Sequence, residues 1–383
     1  MTVCGIICEY NPLHLGHRKQ FGLVRRAKGQ DCAIVALMSG NFVQRGEPAL
    51  LDKTVRAKAA VLSGASLVLE LPVGAALSSA EGFAAGAVRI LSPICDCLCF
   101  GAEHPDQAPI RATAHALLSP GFPAMLREEL SKGLSFPAAR QAALEAAGLN
   151  SGLLQSPNDI LAVEYAKAIL SQRSSLEMLP VFRAGSYHAE TPDPENPSAT
   201  ALRLRMLRGG DWEPFVPAEA ADCYRSAALH TMDAGERAIL ARLRTMRDAD
   251  FAALPFGSEG LWRKLMREAR RQSRVEDILE AVKSKRYTRT RLSRMLLCAY
   301  LGLTEADLAA PAPYVRVLAF DNQGREILRR HKNSGNLVNI GRAAFHPYEG
   351  LESRLDDLYA LFALPAPEPA GISRARRVFY LDR

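Results

Sequence analysis

Short uninterrupted apolar runs alternate with stretches of helical periodicity over the first two hundred residues. Val3 to Cys8, Cys32 to Met38, Leu67 to Leu71, Cys95 to Phe100 and Met178 to Phe182 are such runs, several rich in Val, Ile and Cys. They predict strands buried on both faces. Between them, Asp52 to Leu62 reads as a helix with Asp52 at its N-cap and Gly64 just past its end. Ala80 to Leu91 and Pro157 to Leu170 carry apolar residues at helical spacing. This alternation predicts an α/β, Rossmann-like domain: a parallel sheet, helices on both faces, and ligands at the carboxyl ends of the strands. The stretch Ile110 to Leu149 is helical throughout and reads as an insertion.

The pattern changes after the Pro-rich segment Thr191 to Pro197 and again around Asp211 to Pro217. From Ala218 to Leu303 it is helical, with Arg and Lys crowding the polar positions. Tyr314 to Phe320 then predicts a strand, Asp321 to Gly324 a turn, and Arg325 the start of a helix. Pro365 to Pro369 reads as a stiff connector. The expected organisation is an α/β domain over 1–210 with a helical insertion at about 106–150, a mainly helical basic domain over 211–310, and an α+β segment over 311–383. No internal repeat of fixed period is visible.

Composition narrows the class. The 383 residues are 48% hydrophobic and 23% charged, which excludes global disorder, a fibre or a small disulfide scaffold. The longest apolar region, Leu67 to Leu91, is broken by Glu70, Pro72, Glu81 and Arg89, so it spans no bilayer. The run from Met1 to Cys8 soon meets Glu9 and does not read as a secretion signal. A cytoplasmic protein without a membrane partner is expected. Net charge is +7, and the segment Arg263 to Arg294 alone holds twelve Lys or Arg against four Asp or Glu, a net +8. The basic character is therefore local. It reads either as a solvated helix face or as a footprint for RNA phosphates at Lys283, Lys285, Arg286, Arg289 and Arg291, with Tyr287 and Trp262 available to stack.

The chemistry concentrates after the first strand. Glu9-Tyr10-Asn11-Pro12-Leu13-His14-Leu15-Gly16-His17 leads into a helix, and an H-x-G-H at a strand-to-helix turn suits a phosphate. The helix N-terminus offers free N–H groups, Gly16 permits close approach, and His14 and His17 can donate to phosphate oxygens. Such donors stabilise charge growing on an α-phosphate. A second group, Ser198, Thr200 and Arg203 in Pro197-Ser198-Ala199-Thr200-Ala201-Leu202-Arg203, can either cap a helix or bind the remaining phosphates. His14, His17 and Arg203 are the candidate catalytic residues.

The H-x-G-H and S-A-T-x-x-R pair resembles the HIGH-type nucleotidyltransferase superfamily. Longer strings are more specific: Met38-Ser39-Gly40-Asn41-Phe42-Val43-Gln44-Arg45-Gly46-Glu47-Pro48-Ala49, Asp52-Lys53, Leu67-Val68-Leu69-Glu70-Leu71-Pro72, Ser156-Pro157-Asn158-Asp159-Ile160-Leu161, and Lys283 through Arg291. In this order they resemble the bacterial tRNA(Met) cytidine acetate ligase family. The resemblance implies an enzyme that uses ATP to activate acetate and form N4-acetylcytidine at the wobble position of elongator tRNA(Met); Mg²⁺ on the polyphosphate is expected from ATP chemistry, with no carboxylate assigned to it. It further implies that ATP lies along Ile7, Cys8 and the string above to Arg18, Lys19 and Gln20, and meets Gly101, Asn158 and Arg183. Gly101-Ala102-Glu103 departs from the family's frequent G-S-E, so position 102 has no hydroxyl to offer a ligand, while a backbone contact from Gly101 is unaffected. Read from the residues alone, a nucleotidyltransferase acting on a small phosphorylated metabolite and a non-catalytic RNA-binding protein on the same fold stay open.

Other features read as packing. Cys95, Cys97 and Cys99 would share one strand face about 6.8 Å apart, poor geometry for one Zn²⁺, and no metal-ligand set can be assigned. Cys4 and Cys8 read as buried. His104, Tyr187 and His188 follow strands and could face a ligand or solvent. Lys283-Ser284-Lys285 lies too far from the sheet to serve as a K-M-S-K-S loop.

Overall fold

The computed structural model describes residues 1–149, 151–183, 197–334, 336–340 and 346–383. Five parallel strands, β1 (Val3–Cys8), β2 (Ala33–Ser39), β3 (Leu67–Leu71), β4 (Cys97–Ala102) and β5 (Glu177–Phe182), lie in the order β3-β2-β1-β4-β5. The chain starts at the centre, winds outward through β2 and β3, then returns past β1. Strand order therefore reverses between β1 and β4, and a crevice opens there at the carboxyl ends.

Alternate residues feed two cores. Ile34, Ala36 and Met38 pack with Phe21 and Val24 of α1 (Leu15–Lys28) and Ala57, Ala60 and Val61 of α2 (Lys53–Leu62). Val35 and Leu37 face the other way, onto Phe83, Ala87 and Val88 of α3 (Ala80–Leu91). The stretch after β4 supplies α4 (Gln107–Leu117), α5 (Phe122–Ser131) and α6 (Phe136–Ala146). Beyond it α7 (Pro157–Ser171) buries Val163, Ala166 and Ile169 in the same core. Each buried Val, Ile, Leu or Phe among them stabilises the fold by roughly 1.5–3 kcal/mol.

A short helix, α8 (Ala199–Leu207), precedes the basic region. There α9 (Glu236–Thr245), α10 (Leu261–Arg271), α11 (Val275–Val282) and α12 (Arg289–Leu301) pack around Ile239, Leu265, Ile278 and Leu296. Phe42 from the loop after β2 enters this third core, edge-on to Tyr359 at 5.8 Å.

The C-terminal segment extends the main sheet, which is mixed where the apolar runs predict parallel strands alone. β6 (Val315–Asp321) pairs antiparallel with β3, and β7 (Leu337–Asn339) and β8 (Phe379–Leu381) pair parallel with successive halves of β6. The expected turn at Asp321 to Gly324 is the first turn of α13 (Asn322–Arg330): Asp321 caps it by accepting the Gly324 N–H at 3.0 Å. Cys95 departs from the expected strand face. It precedes β4 and joins the α3-side core, because Asp96 turns the chain by accepting the Val3 N–H at 2.8 Å, while Cys97 and Cys99 share the opposite face with Cys4.

Buried charges fasten this C-terminal part. Lys53 Nζ donates to Glu70 Oε1 (3.0 Å) and to Asp356 Oδ1 (2.7 Å) on α14 (Pro347–Ala360). Arg316 of β6 lies 2.8 Å from Glu70 and 3.2 Å from Glu352, and Arg376 pairs with Asp52. Among the described residues, no helix is long and apolar enough to cross a membrane.

Candidate active site

At the central crevice, the loop after β1 delivers His14 as the N-cap of α1. His14 Nδ1 accepts the Gly16 N–H at 3.1 Å, and His17 Nδ1 accepts the His14 N–H at 3.2 Å. The two imidazoles thus form a reciprocal capping box, satisfying donors the helix would otherwise leave orphaned. A neutral ring whose Nδ1 accepts carries its proton on Nε2. Both rings stay neutral, because burial pushes His14 down to about 3 and His17 well below the usual imidazole value, with the Arg183 guanidinium adding to both shifts. Stacked at 3.8 Å, they offer Nε2–H groups beside the positive end of α1. His14 Nε2 is buried and has no hydrogen-bond partner among the described residues. An orphaned buried donor at a helix N-terminus is suited to an anion. A Cβ at Gly16 would stand 3.0 Å from His14 Cε1, so the small residue keeps the capping ring in place.

The supporting loop is held from below. Arg56, fully buried, donates to the carbonyls of Glu9 (2.6 Å), Ser39 (3.1 Å) and Gly40 (2.5 Å), tying together the ends of β1 and β2. Asn11 Oδ1 accepts the Leu50 N–H at 2.8 Å, and Glu9 Oε1 accepts the Gln44 N–H at 3.0 Å. Tyr10 is left-handed at φ 45°, its ring edge-on to His17 at 5.0 Å. Across Ile7 to Gln20, then, Cys8, Tyr10, Pro12 and Leu13 lie in the core, whereas Arg18 and Lys19 are exposed.

The opposite wall is built by β4, α7 and β5. The Arg183 side chain lies over Gly101, where a Cβ would meet its Cδ at 3.3 Å. Arg183 Nη1 donates to Asn158 Oδ1 at 3.0 Å, and Asn158 Nδ2 donates to Glu103 Oε1 at 2.7 Å. Three positions distant in sequence, Gly101, Asn158 and Arg183, are therefore assembled in one place. His104, largely exposed, is held by Asp159: its N–H meets Oδ1 at 3.0 Å and its Nδ1 meets Oδ2 at 2.7 Å. Ala102 packs in the α3-side core.

Arg203 closes the arrangement from α8, donating to the Asn11 carbonyl at 2.9 Å and to Thr200 Oγ1 at 3.2 Å. Ser198 caps α8 through the Ala201 N–H at 3.4 Å. Tyr187 and His188 lie outside the described residues. Among those described, no group of three or more His, Cys, Asp or Glu is placed to hold a metal ion. Glu103 and Asp159, the carboxylates nearest the wall, each have both oxygens engaged.

The basic positions lie apart, around the turn between α11 and α12. Three of them are paired: Lys283 with Glu280 (3.2 Å), Arg286 with Glu259 (2.8 Å) and Arg289 with Glu276 (2.5 Å). Arg291 donates to the Phe256 carbonyl at 2.9 Å and lies over the Tyr287 ring, 5.0 Å from its centroid.

Sequence reasoning misses the supporting roles of Glu9, Arg56, Glu103 and Asp159. Glu103 and Asp159 stand next to Ala102 and Asn158 inside strings already singled out, whereas nothing marks Arg56 as an interior residue.

The profile of the HIGH Nucleotidyl Transferase family matches residues 1–367. The chain is 33% identical over 362 residues to the tRNA(Met) cytidine acetate ligase of Acetivibrio thermocellus, covering 88% of this chain and 87% of that one. It is 35% identical over 382 residues to the enzyme of the same name from Caldanaerobacter subterraneus subsp. tengcongensis, covering 94% of each. Crystal structures of Thermotoga maritima TmcAL, 28% identical, superpose over 100% of both chains, with a TM-score of 0.89 for the apo form and 0.86 for the form bound with alpha-thio ATP. Matches of this extent, running through the sheet, the basic helices and the C-terminal strands alike, mean that the chain belongs to the HIGH nucleotidyl transferase family and, within it, to the tRNA(Met) cytidine acetate ligases.

Proposed function

We propose that the protein activates acetate with ATP and transfers the acetyl group to N4 of the wobble cytidine of elongator tRNA(Met), giving N4-acetylcytidine, AMP and pyrophosphate. Acetate does not acylate an amine directly, since the group leaving would be oxide-like. Attack of an acetate oxygen on the α-phosphorus of ATP expels pyrophosphate and forms acetyl-adenylate, whose AMP leaves readily. That step needs positioning and stabilisation of phosphoryl charge, with no protein nucleophile. His14 and His17 would donate their Nε2 protons to the α-phosphate, and Arg203, Ser198 and Thr200 would hold the remaining phosphates. The segment Ile7 to Gln20, with Gly101, Asn158 and Arg183, would cradle the nucleotide. Mg²⁺ enters this reading only as the ion that ATP carries on its own phosphate oxygens. Lys283, Lys285, Arg286, Arg289 and Arg291 would meet tRNA phosphates, and the place of work would be the cytoplasm, where tRNA and ATP are found.

The observation that carries the reading is the orphaned Nε2 of His14 at the α1 N-terminus, in a chain similar over most of its length to tRNA(Met) cytidine acetate ligases. The test is mass spectrometry of nucleosides from tRNA incubated with the protein, ATP and isotopically labelled acetate. Labelled N4-acetylcytidine at the wobble position of elongator tRNA(Met) is expected. ATP–pyrophosphate exchange that depends on a phosphorylated metabolite instead of acetate would overturn it.

A further inference from the structure

Resting on that reading, we infer that His104 and Asp159 form the proton-accepting dyad of the acetyl-transfer step. Transfer to cytidine has a requirement that adenylation lacks. As the N4 lone pair bonds to the acetyl carbon and the carbon–oxygen bond to AMP breaks, AMP departs as the phosphate anion and nitrogen must lose a proton. His14 and His17 are unsuited to take it, because their Nδ1 atoms accept backbone N–H groups and their protons sit on Nε2.

His104 has the opposite tautomer. The Asp159 carboxylate accepts the His104 backbone N–H at 3.0 Å and faces Nδ1 at 2.7 Å, so the ring proton sits on Nδ1 and the Nε2 lone pair is left free. The Asp159 side chain is fully buried while that of His104 is 69% exposed, an acid held rigidly behind a reachable base. Such a carboxylate orients the ring and stabilises the imidazolium that forms. The dyad also stands at the right wall. Glu103 accepts the Asp159 N–H at 2.9 Å and Asn158 Nδ2 at 2.7 Å, and Asn158 in turn receives Arg183, whose charge reaches His14 and His17. The base is thus tied through Asp159 and Glu103 to the wall residues Asn158 and Arg183, and its own ring stays open to solvent. The charged groups facing the ring are Asp159 from α7 and Glu103 from its own loop, and the Asp159 hydrogen bond first, then charge, raises the imidazole above its usual value.

Two half-reactions on His104→Gln test this. Acetate-dependent ATP–pyrophosphate exchange is expected within twofold of the wild type. Single-turnover transfer from preformed acetyl-adenylate to tRNA should fall by about 10² or more, the usual weight of a general base. Wild-type transfer should rise with pH as His104 loses its proton and then level off, and the variant should lack that limb. Added imidazole should restore part of the transfer in His104→Ala, which a structural role would not allow. Transfer by His104→Gln within twofold of wild type, or exchange and transfer falling together, would overturn the dyad alone. A wild-type protein that makes no N4-acetylcytidine would overturn the functional reading beneath it.

Discussion

His14 and His17 show how one backbone choice sets the chemistry of a side chain. Their Nδ1 atoms close the α1 cap, so Nε2 is left as a donor. Replacing His17 by Ala removes one such donor, and acetate-dependent ATP–pyrophosphate exchange should fall by about 10². The same step should show no histidine limb between pH 5 and 8. Both pKa values are pushed below the ordinary 6.5, so the rings stay neutral across that window. The sign for stability follows: below pH 6.5 the unfolded chain binds protons that the folded chain refuses, and the fold weakens as pH falls toward the depressed values. Exchange measured from pH 5 to 8, buffered at constant ionic strength, checks the flat profile; a step near 6.5 absent from His17→Ala would refute it.

At the scale of elements, the loop after β2 links the crevice to the basic helices. Gly46, at φ +78°, packs so closely on α12 that a Cβ would meet the Arg294 nitrogen at 2.4 Å, and Gln44 on the same loop bonds Glu9 and Arg294. On α11 and α12, Glu276 and Glu280 offset the charge of Arg289 and Lys283. Replacing Lys283, Lys285, Arg286, Arg289 and Arg291 by Gln should weaken tRNA binding and flatten its salt dependence, by roughly 0.7–0.9 in log–log slope for each phosphate that is no longer neutralised. Changing Glu276 and Glu280 to Gln should act oppositely. Filter binding over a salt series reads both, and an unchanged slope in each would make this a solvated face. The strands β1 to β5 and the H-x-G-H turn are legible because apolar runs and capping residues are local signals. The gathering of Gly101, Asn158 and Arg183 is visible in sequence only through the family resemblance. Asp321 reads as a turn residue because an Asp before Gly suits a turn and a helix cap equally. Arg56 carries no signal at all: its burial depends on three carbonyls that only the folded sheet brings together.

In the molecule as a whole, charge does at the C-terminal seam what apolar packing does elsewhere. Lys53 is fully buried between Glu70 and Asp356, so Lys53→Met would leave these two buried carboxylates to Arg316 and Arg376 alone. Breaking a buried pair from one side costs about 3–5 kcal/mol when nothing else compensates the charge left behind; with both arginines in place, urea unfolding should show a loss of about 1–3 kcal/mol, and no measurable loss would mean the network is slack. The seam also has a consequence in time. During synthesis, the β3 edge emerges early and its partner β6 follows only about 240 residues later. At roughly 5–20 residues per second, the nascent sheet waits tens of seconds with an open strand edge. A ribosome stalled before Val315 would display an unfinished sheet that other chains can pair with, so β6 acts as a late seal on the edge of β3.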